Sequence, residues 1–332
     1  MKNNIVAILA FIVIIIAGLK LASGVVVPLL MAVFLFIIFN PLLIKLHKFG
    51  VPNVIASLIV FLLIALLFLL LGTFLNNFSN EMMQNISTYQ EKFRQISPQI
   101  ALYFQERGVD LQWDSIMSFI EPVKVIGYIS VIFKSMGNIL VSVLLTLLLV
   151  MFLLLERASI TEKALYFAQT QQRKEKLTLF IKNINRYFVI KTFTSLLTGL
   201  SIWIVLEYFH LQYALFFGVL AFLLNFIPSI GSILAAFPAL FVAILQLDII
   251  DASIIALFYL LINNLISNFL EPRIMGEDLG LSTFIVFLSM VVWGWIFGPI
   301  GMFLAVPLTI TIKIITQDSK EYSWISLILQ NK

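Results

Sequence analysis

The stretch that decides the fold is Pro228-Ser229-Ile230-Gly231-Ser232-Ile233-Leu234-Ala235-Ala236-Phe237-Pro238, because a near-copy follows it. The copy is Pro299-Ile300-Gly301-Met302-Phe303-Leu304-Ala305-Val306-Pro307, and both lie in apolar runs long enough to enter a bilayer. A helix broken at membrane depth frees backbone groups that must face protein or water. Paired breaks of this kind are typical of a transporter's substrate site. The alternative is two ordinary proline kinks that match by chance.

Composition places the chain in a membrane. Its 332 residues are 61% hydrophobic and 11% charged, with a mean hydropathy of +1.06. Soluble domains are roughly half apolar and a quarter charged. The net charge of +4 does not indicate nucleic acid, since the basic residues lie between hydrophobic segments. The chain has no cysteine, which excludes disulfides and thiolate chemistry.

The apolar runs predict an all-α polytopic membrane protein with a lipid bilayer around it. About six full spans are expected, over 5–19, 25–39, 53–75, 137–155, 192–206 and 252–270. Two re-entrant-type hairpins, broken by proline and glycine, add 213–226 with 230–247 and 281–297 with 300–315, giving eight or more hydrophobic segments. We expect the two breaks to lie near one another and to face a polar cavity.

Charge bias predicts the topology. Residues 76–136 are nearly neutral and helical in pattern, whereas 156–191 are rich in lysine and arginine, which marks the cytoplasmic side. Both termini are then cytoplasmic and 76–136 form a small helical extracytoplasmic insert. The domains follow as 1–75 N-terminal helices, 76–136 insert, 137–155 transmembrane helix, 156–191 basic linker, 192–317 transport core and 318–332 cytoplasmic tail.

This topology gives the two hairpins opposite orientation. The first is entered from outside after the span that ends at 206, and the second from the cytoplasm after the span that ends at 270. Each unit is a helix followed by a broken hairpin. Inverted repeats of this kind build alternating-access transporters.

Polar side chains follow one side of the span before the second hairpin. Asn264, Ser267, Asn268 and Glu271 fall at i, i+3, i+4 and i+7 on one α-helical face, and Asn263 lies beside it. Membrane amides face a bundle interior or a cavity. The face predicts either a hydrogen-bonding wall for a small polar substrate or contacts that hold helices together.

The predicted substrate path combines these amides with the breaks, and a second set is assigned to gating or coupling. Asn225, Ser229 and Ser232 flank the first break, where backbone groups are freed. The full path is Asn225, Pro228, Ser229, Gly231, Ser232, Asn263, Asn264, Asn268, Pro299 and Gly301. The gating or coupling set is Glu271, Arg273, Trp293 and Trp295. Glu271 and Arg273 have the alternative of a helix-end ion pair, and the tryptophans that of interfacial belt residues.

Enzymatic and metal chemistry have no support. His47 and His210 are far apart in the chain without companion ligands, so no metal site is expected. No Walker-type loop and no local triad signature is present. The chain is therefore expected to be neither an enzyme nor a cofactor-binding protein.

Four motifs resemble a known family, the autoinducer-2 exporters of the bacterial inner membrane. They are Asn225-Phe226-Ile227-Pro228-Ser229-Ile230-Gly231, Glu271-Pro272-Arg273-Ile274-Met275-Gly276, Leu279-Gly280-Leu281-Ser282 and Trp293-Gly294-Trp295-Ile296-Phe297-Gly298-Pro299-Ile300-Gly301. The resemblance covers the whole chain. It implies export of autoinducer-2, a small hydroxylated furanone, by a homo-oligomer, with a pentamer as the leading expectation.

Two other functions remain open. Some relatives in that family are described as sodium–proton antiporters, which need an intramembrane carboxylate. The candidates, Glu207, Asp248, Asp251 and Glu271, all lie near predicted span ends. The third reading is a membrane scaffold or regulatory protein whose outer insert binds partners.

Overall fold

A computed structural model describes residues 2–105, 139–167, 170–228, 230–275 and 281–316. The described residues form helices, with no strand among them. In chain order these are α1 Lys2–Leu21, α2 Ser23–Lys48, α3 Asn53–Gln84, α4 Ile86–Gln105, α5 Ile139–Leu155, α6 Arg157–Phe167, α7 Gln171–Tyr208, α8 Ala214–Leu224, α9 Gly231–Gln246, α10 Ile249–Asn263, a π-helix Asn264–Leu270, α11 Glu271–Met275, α12 Thr283–Phe297, α13 Pro299–Phe303 and α14 Ala305–Thr316.

The all-helical, polytopic prediction is confirmed, but with fewer long spans than expected. In the described ranges, four helices are long and apolar enough to cross a membrane: Ser23–Lys48, Asn53–Gln84, Leu177–Tyr208 and Ile249–Ile274. The predicted span at 137–155 is the 17-residue helix α5, and that at 5–19 is α1. Helix α2 continues through Pro41, where the sequence predicted an end. Prolines are tolerated in membrane helices where neighbouring groups satisfy the freed carbonyl.

An N-terminal unit forms where α2, α3 and α5 pack together. Its buried core is Ala32, Leu43, Ala56, Val60, Ile64, Val150 and Leu154. The Ser57 hydroxyl donates to the Leu154 carbonyl at 3.0 Å, tying α3 to α5. The opposite face of α3 exposes Leu62, Leu66, Leu69 and Leu70. Exposed leucines at this density suit a lipid-facing surface.

Helix α7 is the central element of the rest of the molecule. It packs on α8 at Gly199 and Gly218, where an added Cβ on Gly199 would lie 2.7 Å from the Gly218 carbonyl oxygen. Small residues let membrane helices approach closely. At one end α7, α8, α9 and α10 share a buried core that includes Leu206, Phe217, Val242 and Ile255. At the other, Phe188 of α7 joins the core of α2 and the second hairpin.

Three loops and helix ends gather at one end of the molecule. Asn85 and Tyr89, at the start of α4, bond to Tyr213 and Gln212 in the loop after α7. Gln246, at the end of α9, bonds to the same loop. This grouping agrees with a topology in which these segments share one side of the membrane. The insert residues 106–136, Ser229, the loop 276–280 and the tail 318–332 lie outside the described residues.

Candidate transport site

The first break separates α8, which ends at Leu224, from α9, which begins at Gly231. The Ile227 amide donates to the Leu224 carbonyl at 2.8 Å, which closes a turn after the last helical residue. Helix α9 then begins at Gly231, whose added Cβ would lie only 1.8 Å from the Leu224 oxygen. No side chain fits there. The non-helical segment predicted at Pro228 is therefore present, and Gly231 is needed for close packing.

The second break differs from the prediction in position. We expected a non-helical segment over 299–301, but the break is Gly298, which has φ +68° and ψ −152°. Pro299 and Gly301 lie inside the short helix α13, because proline is well suited to the first helical position. Gly301 packs as Gly231 does: its added Cβ would lie 2.0 Å from the Trp293 carbonyl oxygen.

The two breaks touch each other, as expected, but through apolar side chains. Ile227 packs with Met290 and Ala305 in one buried cluster. The rings of Phe226 and Phe303 lie 5.0 Å apart between centroids. Polar side chains lie on the other side of the first break, toward α7, and a polar cavity facing both breaks stays a prediction.

A set of polar side chains, here called the polar layer, comprises the buried Ser195 and Asn225 and the half-buried Asn263 and Ser267. Asn225 is 3% exposed, and its Nδ2 donates to Ser195 Oγ at 3.0 Å. Ser267 Oγ lies 3.4 Å from Asn225 Oδ1 and 3.2 Å from Asn263 Oδ1. The layer therefore joins α7, the first break and the π-helix. Buried amides and hydroxyls at membrane depth are costly unless paired, so this pairing fixes the three elements together.

A buried tyrosine lies one helical turn before Asn263. Among the described residues, the Tyr259 hydroxyl is buried without a hydrogen-bond partner. An unpaired hydroxyl in such a place favours a bound water or solute group, because leaving it unpaired costs free energy.

An ion pair lies at the end of the polar layer. Lys191 Nζ donates to the two carboxylate oxygens of Glu271 at 2.8 and 3.0 Å, and the Thr194 hydroxyl lies 3.3 Å from Glu271 Oε2. The side chains of Lys191 and Glu271 are 5% and 13% exposed. Glu271 thus pairs across 80 residues and not with Arg273, the helix-end partner considered above. Arg273 is exposed and lies over the Phe269 ring at 3.7 Å.

The α7 side of this site was not predicted from the sequence. Lys191 was assigned to the end of a basic linker, and Thr194, Ser195 and Thr198 were not singled out. These four side chains are buried and fall at i, i+3, i+4 and i+7. That spacing is a helical face, and it was visible in the sequence.

The predicted asparagine face is divided in two. Ser267 and Glu271 point toward α7, whereas Asn264 and Asn268 are exposed and bond to each other at 2.8 Å. The prediction assumed α-helical spacing, but residues 264–270 form a π-helix. In the wider turn of a π-helix, Ser267 and Glu271, which are four residues apart, both lie on the inward side. Asn264 and Glu271, which are seven residues apart, lie on different sides.

The two tryptophans point to different surroundings. Trp293 donates its indole N–H to the buried Thr309 hydroxyl at 3.2 Å, and it packs beside the two breaks. Trp295 is 60% exposed, with the Lys20 ammonium 3.8 Å from its ring centroid. Within the described ranges, no group of three His, Asp or Glu side chains is placed to hold a metal ion.

Apolar helices of membrane-spanning length, interrupted by paired breaks beside buried polar groups, are typical of multi-pass membrane transporters. The chain belongs to the AI-2E transporter family, since that family's model matches residues 9–321. Its function is therefore transport and not enzymatic catalysis.

Individual relatives match over nearly their whole length. The AI-2 transport protein TqsA of Escherichia coli is 34% identical over 332 residues, covering 99% of this chain and 96% of TqsA. YhhT of the same species is 31% identical over 322 residues, 97% of this chain and 92% of its own. A Haemophilus influenzae relative is 34% identical over 318 residues, 94% of this chain and 91% of its own. The names of the last two give no substrate.

Proposed function

We propose that the protein exports a small polar molecule, autoinducer-2, along the polar layer. The observation that carries the proposal is the position of Asn225. Its side chain is buried at the first break, donates a hydrogen bond to Ser195 and lies within reach of Ser267. A hydroxylated solute exchanges hydrogen bonds with such amides and hydroxyls. Similarity to TqsA, named for AI-2 transport, supports this choice of solute.

The path includes the remaining predicted residues of the breaks. Pro228 lies in the first break, and Gly231 and Ser232 are the first residues of α9 after it. Pro299 and Gly301 follow the second break. Trp293, which contacts both breaks, is assigned to gating of the path. Trp295, exposed and covered by Lys20, is assigned to the same role at the protein surface.

The test is flux of labelled autoinducer-2 in liposomes that contain the purified protein. Wild type should exchange internal and external solute faster than empty liposomes, and Asn225→Leu should lose that exchange. Asn77→Leu is the matched control, because Asn77 is an exposed asparagine on α3. Flux equal to that of empty liposomes, from folded wild-type protein, would reject autoinducer-2 as the solute.

A cation–proton antiporter is the second candidate, and the Lys191–Glu271 pair favours it. Ionisable side chains within membrane spans commonly mark ion pathways. The same liposomes, given sodium and proton gradients without autoinducer-2, separate the two activities. Sodium-dependent proton movement without autoinducer-2 flux selects the antiporter. Absence of all three fluxes selects the scaffold.

We propose an orientation in the bacterial inner membrane with both termini in the cytoplasm. The excess of lysine and arginine in 156–191 supports it. The chain lacks cysteine, so Gln99→Cys and Thr170→Cys give a clean labelling test. An impermeant thiol reagent should label position 99 alone in intact cells, and labelling of position 170 alone would reverse the orientation.

We also propose that the protein is a homo-oligomer. Asn264 and Asn268 are exposed among Leu260, Leu261, Leu265 and Phe269 on a membrane-spanning surface. Amides are costly in lipid, so contact with another subunit is the favourable environment. Native mass spectrometry of Asn264→Leu/Asn268→Leu should show fewer subunits than wild type. Unchanged subunit number together with lost flux would return these amides to the solute path.

A further inference from the structure

The loop between α7 and α8, residues 209–213, is held in a strained conformation. His210 and Tyr213 have φ values of 52° and 66°, and neither is glycine. Such left-handed residues persist only where the surrounding structure enforces them. Tyr213 is also the residue that precedes α8, which runs directly to Asn225. The conformation of this loop therefore sets the position of α8 and of the first break.

One restraint comes from within the transport core. Gln246 Oε1 accepts the Gln212 amide at 2.8 Å, and Gln246 Nε2 donates to the His210 carbonyl at 3.1 Å. The carboxamide oxygen and nitrogen of Gln246 thus both form hydrogen bonds with the loop. This restraint ties the loop to α9, which belongs to the same hairpin as α8.

The other restraint comes from the junction of α3 and α4. Asn85 Nδ2 donates to Tyr213 Oη at 2.8 Å, and Tyr89 Oη donates to Gln212 Oε1 at 3.1 Å. The ring of Phe78 stacks on Phe216 and meets the Tyr213 ring edge-on. Burial raises the pKa of Tyr89 well above its usual range, with smaller contributions from Tyr213 and Glu81, so its hydroxyl stays protonated and able to donate.

We propose that Phe78, Asn85 and Tyr89 form a latch that holds the α7–α8 loop in its strained state and releases it when the first break opens to that end of the molecule. The side-chain contacts hold the loop against backbone strain at His210 and Tyr213, so loss of a contact should favour release of the loop. The proposal rests on the proposed function only in taking the first break as the solute path.

The test uses a reporter cysteine and needs no solute. Ser232→Cys, half-buried at the first break, is labelled by an impermeant maleimide from the face that also labels Asp248→Cys. Tyr89→Phe and Tyr213→Phe each remove one hydroxyl and keep the ring. Each should raise the reporter's labelling rate about fivefold, equivalent to about 1 kcal/mol for a lost hydrogen bond. Tyr208→Phe is the matched control, because Tyr208 is exposed at the end of α7.

A second variant acts in the opposite direction. His210 is exposed, and His210→Gly relieves its left-handed strain without touching the latch. The latched state should become more stable, and labelling should slow at least about fivefold, because a left-handed non-glycine residue costs roughly 1–2 kcal/mol. Faster or unchanged labelling in this variant would overturn the claim that strain opposes the latch.

Two outcomes of the tyrosine variants overturn the latch itself. One is labelling equal to that of Tyr208→Phe. The other is an equal rise at Ser57→Cys, buried in the N-terminal unit, which would mean general loosening of the fold. Because labelling needs no solute, a failure of autoinducer-2 flux leaves this result unaffected, and the two proposals are judged separately.

Discussion

The two broken hairpins share a backbone arrangement and differ in polarity. In each, a glycine packs against a carbonyl of the preceding helix: Gly231 against Leu224 and Gly301 against Trp293. The residue after that carbonyl is Asn225 in the first hairpin and Gly294 in the second. Asn225 reaches α7 and the π-helix, whereas a Cβ on Gly294 would meet the Met302 side chain at 2.7 Å.

This difference shows which part of the repeat carries which property. Close packing of glycine against a carbonyl depends on backbone geometry, so both copies need it. Hydrogen bonding depends on one side chain, and the second hairpin fills the equivalent space with Met302. The first hairpin therefore supplies the polar groups, and the second supplies an apolar surface against it.

The largest expected effect tests the shared backbone arrangement. Gly231→Ala and Gly301→Ala each place a Cβ within 2.0 Å of a carbonyl oxygen, which neither hairpin can accommodate. Neither variant should yield folded protein by size-exclusion chromatography and thermal unfolding in detergent. Gly72→Ala is the control, because no atom lies within 4 Å of its added Cβ. It should be as stable as wild type, or more stable by about 1 kcal/mol of unfolding free energy. Normal folding of Gly301→Ala alone would show that the hairpins differ in backbone as well.

The next effect concerns the charges beside the first hairpin. Lys191→Met leaves Glu271 buried without its partner, and removing one member of a buried pair costs about 3–5 kcal/mol. The double variant Lys191→Met/Glu271→Gln should recover most of that stability, because no unpaired charge remains. Thermal unfolding of both variants measures this. A double variant no more stable than Lys191→Met would mean that the pair is not the cause.

A smaller effect contrasts polar groups on the two hairpins. Asn225→Leu removes the hydrogen-bond partner of Ser195. It should lower the free energy of unfolding by about 2 kcal/mol and abolish autoinducer-2 flux. Trp293→Phe loses the bond to Thr309 and part of the indole ring, but it keeps an aromatic side chain at the proposed gate. It should therefore cost about 1 kcal/mol or slightly more, with flux retained. Equal loss of flux in both variants, measured per folded protein, would remove the distinction between the hairpins.

The last effect concerns the second break alone. Gly298 has φ +68° and open space around its added Cβ, so Gly298→Ala meets conformational strain without a steric clash. The expected loss is roughly 1–3 kcal/mol of unfolding free energy, because a φ of +68° with a ψ of −152° lies in a region that is essentially restricted to glycine. Pro228→Ala, at the first break, is the comparison and should change stability less. A larger loss at Pro228 would mean that the first break is the more tightly restrained of the two.

The sequence predicted most of what depends on local pattern. Membrane helices, the paired breaks and the end of α8 near Pro228 all follow from apolar length and from proline and glycine placement. The second break was misplaced because Pro299 starts a helix as readily as it ends one. The charge pairing was missed because Lys191 and Glu271 are 80 residues apart, and each had a plausible local role.

The prediction of a single polar face on this helix was wrong for a different reason. Asn264, Ser267, Asn268 and Glu271 lie on one side only if the chain keeps α-helical spacing, and the π-helix changes that spacing. No pattern of residue types in 264–270 indicates a π-helix. The contacts of Ser267 with Asn225 and of Glu271 with Lys191 favour it only once the neighbouring helices are in place.

A π-helix behaves as an α-helix with one residue inserted, so the phase of every later residue depends on helix length. Deletion of Leu265 would restore an α-helical count and turn Glu271 by about 100° around the axis, away from Lys191. Charge pairing at this site is therefore set by the number of residues between Asn263 and Glu271 as much as by their identity. A relative one residue shorter here would need a different partner for its carboxylate even if both charged residues were kept.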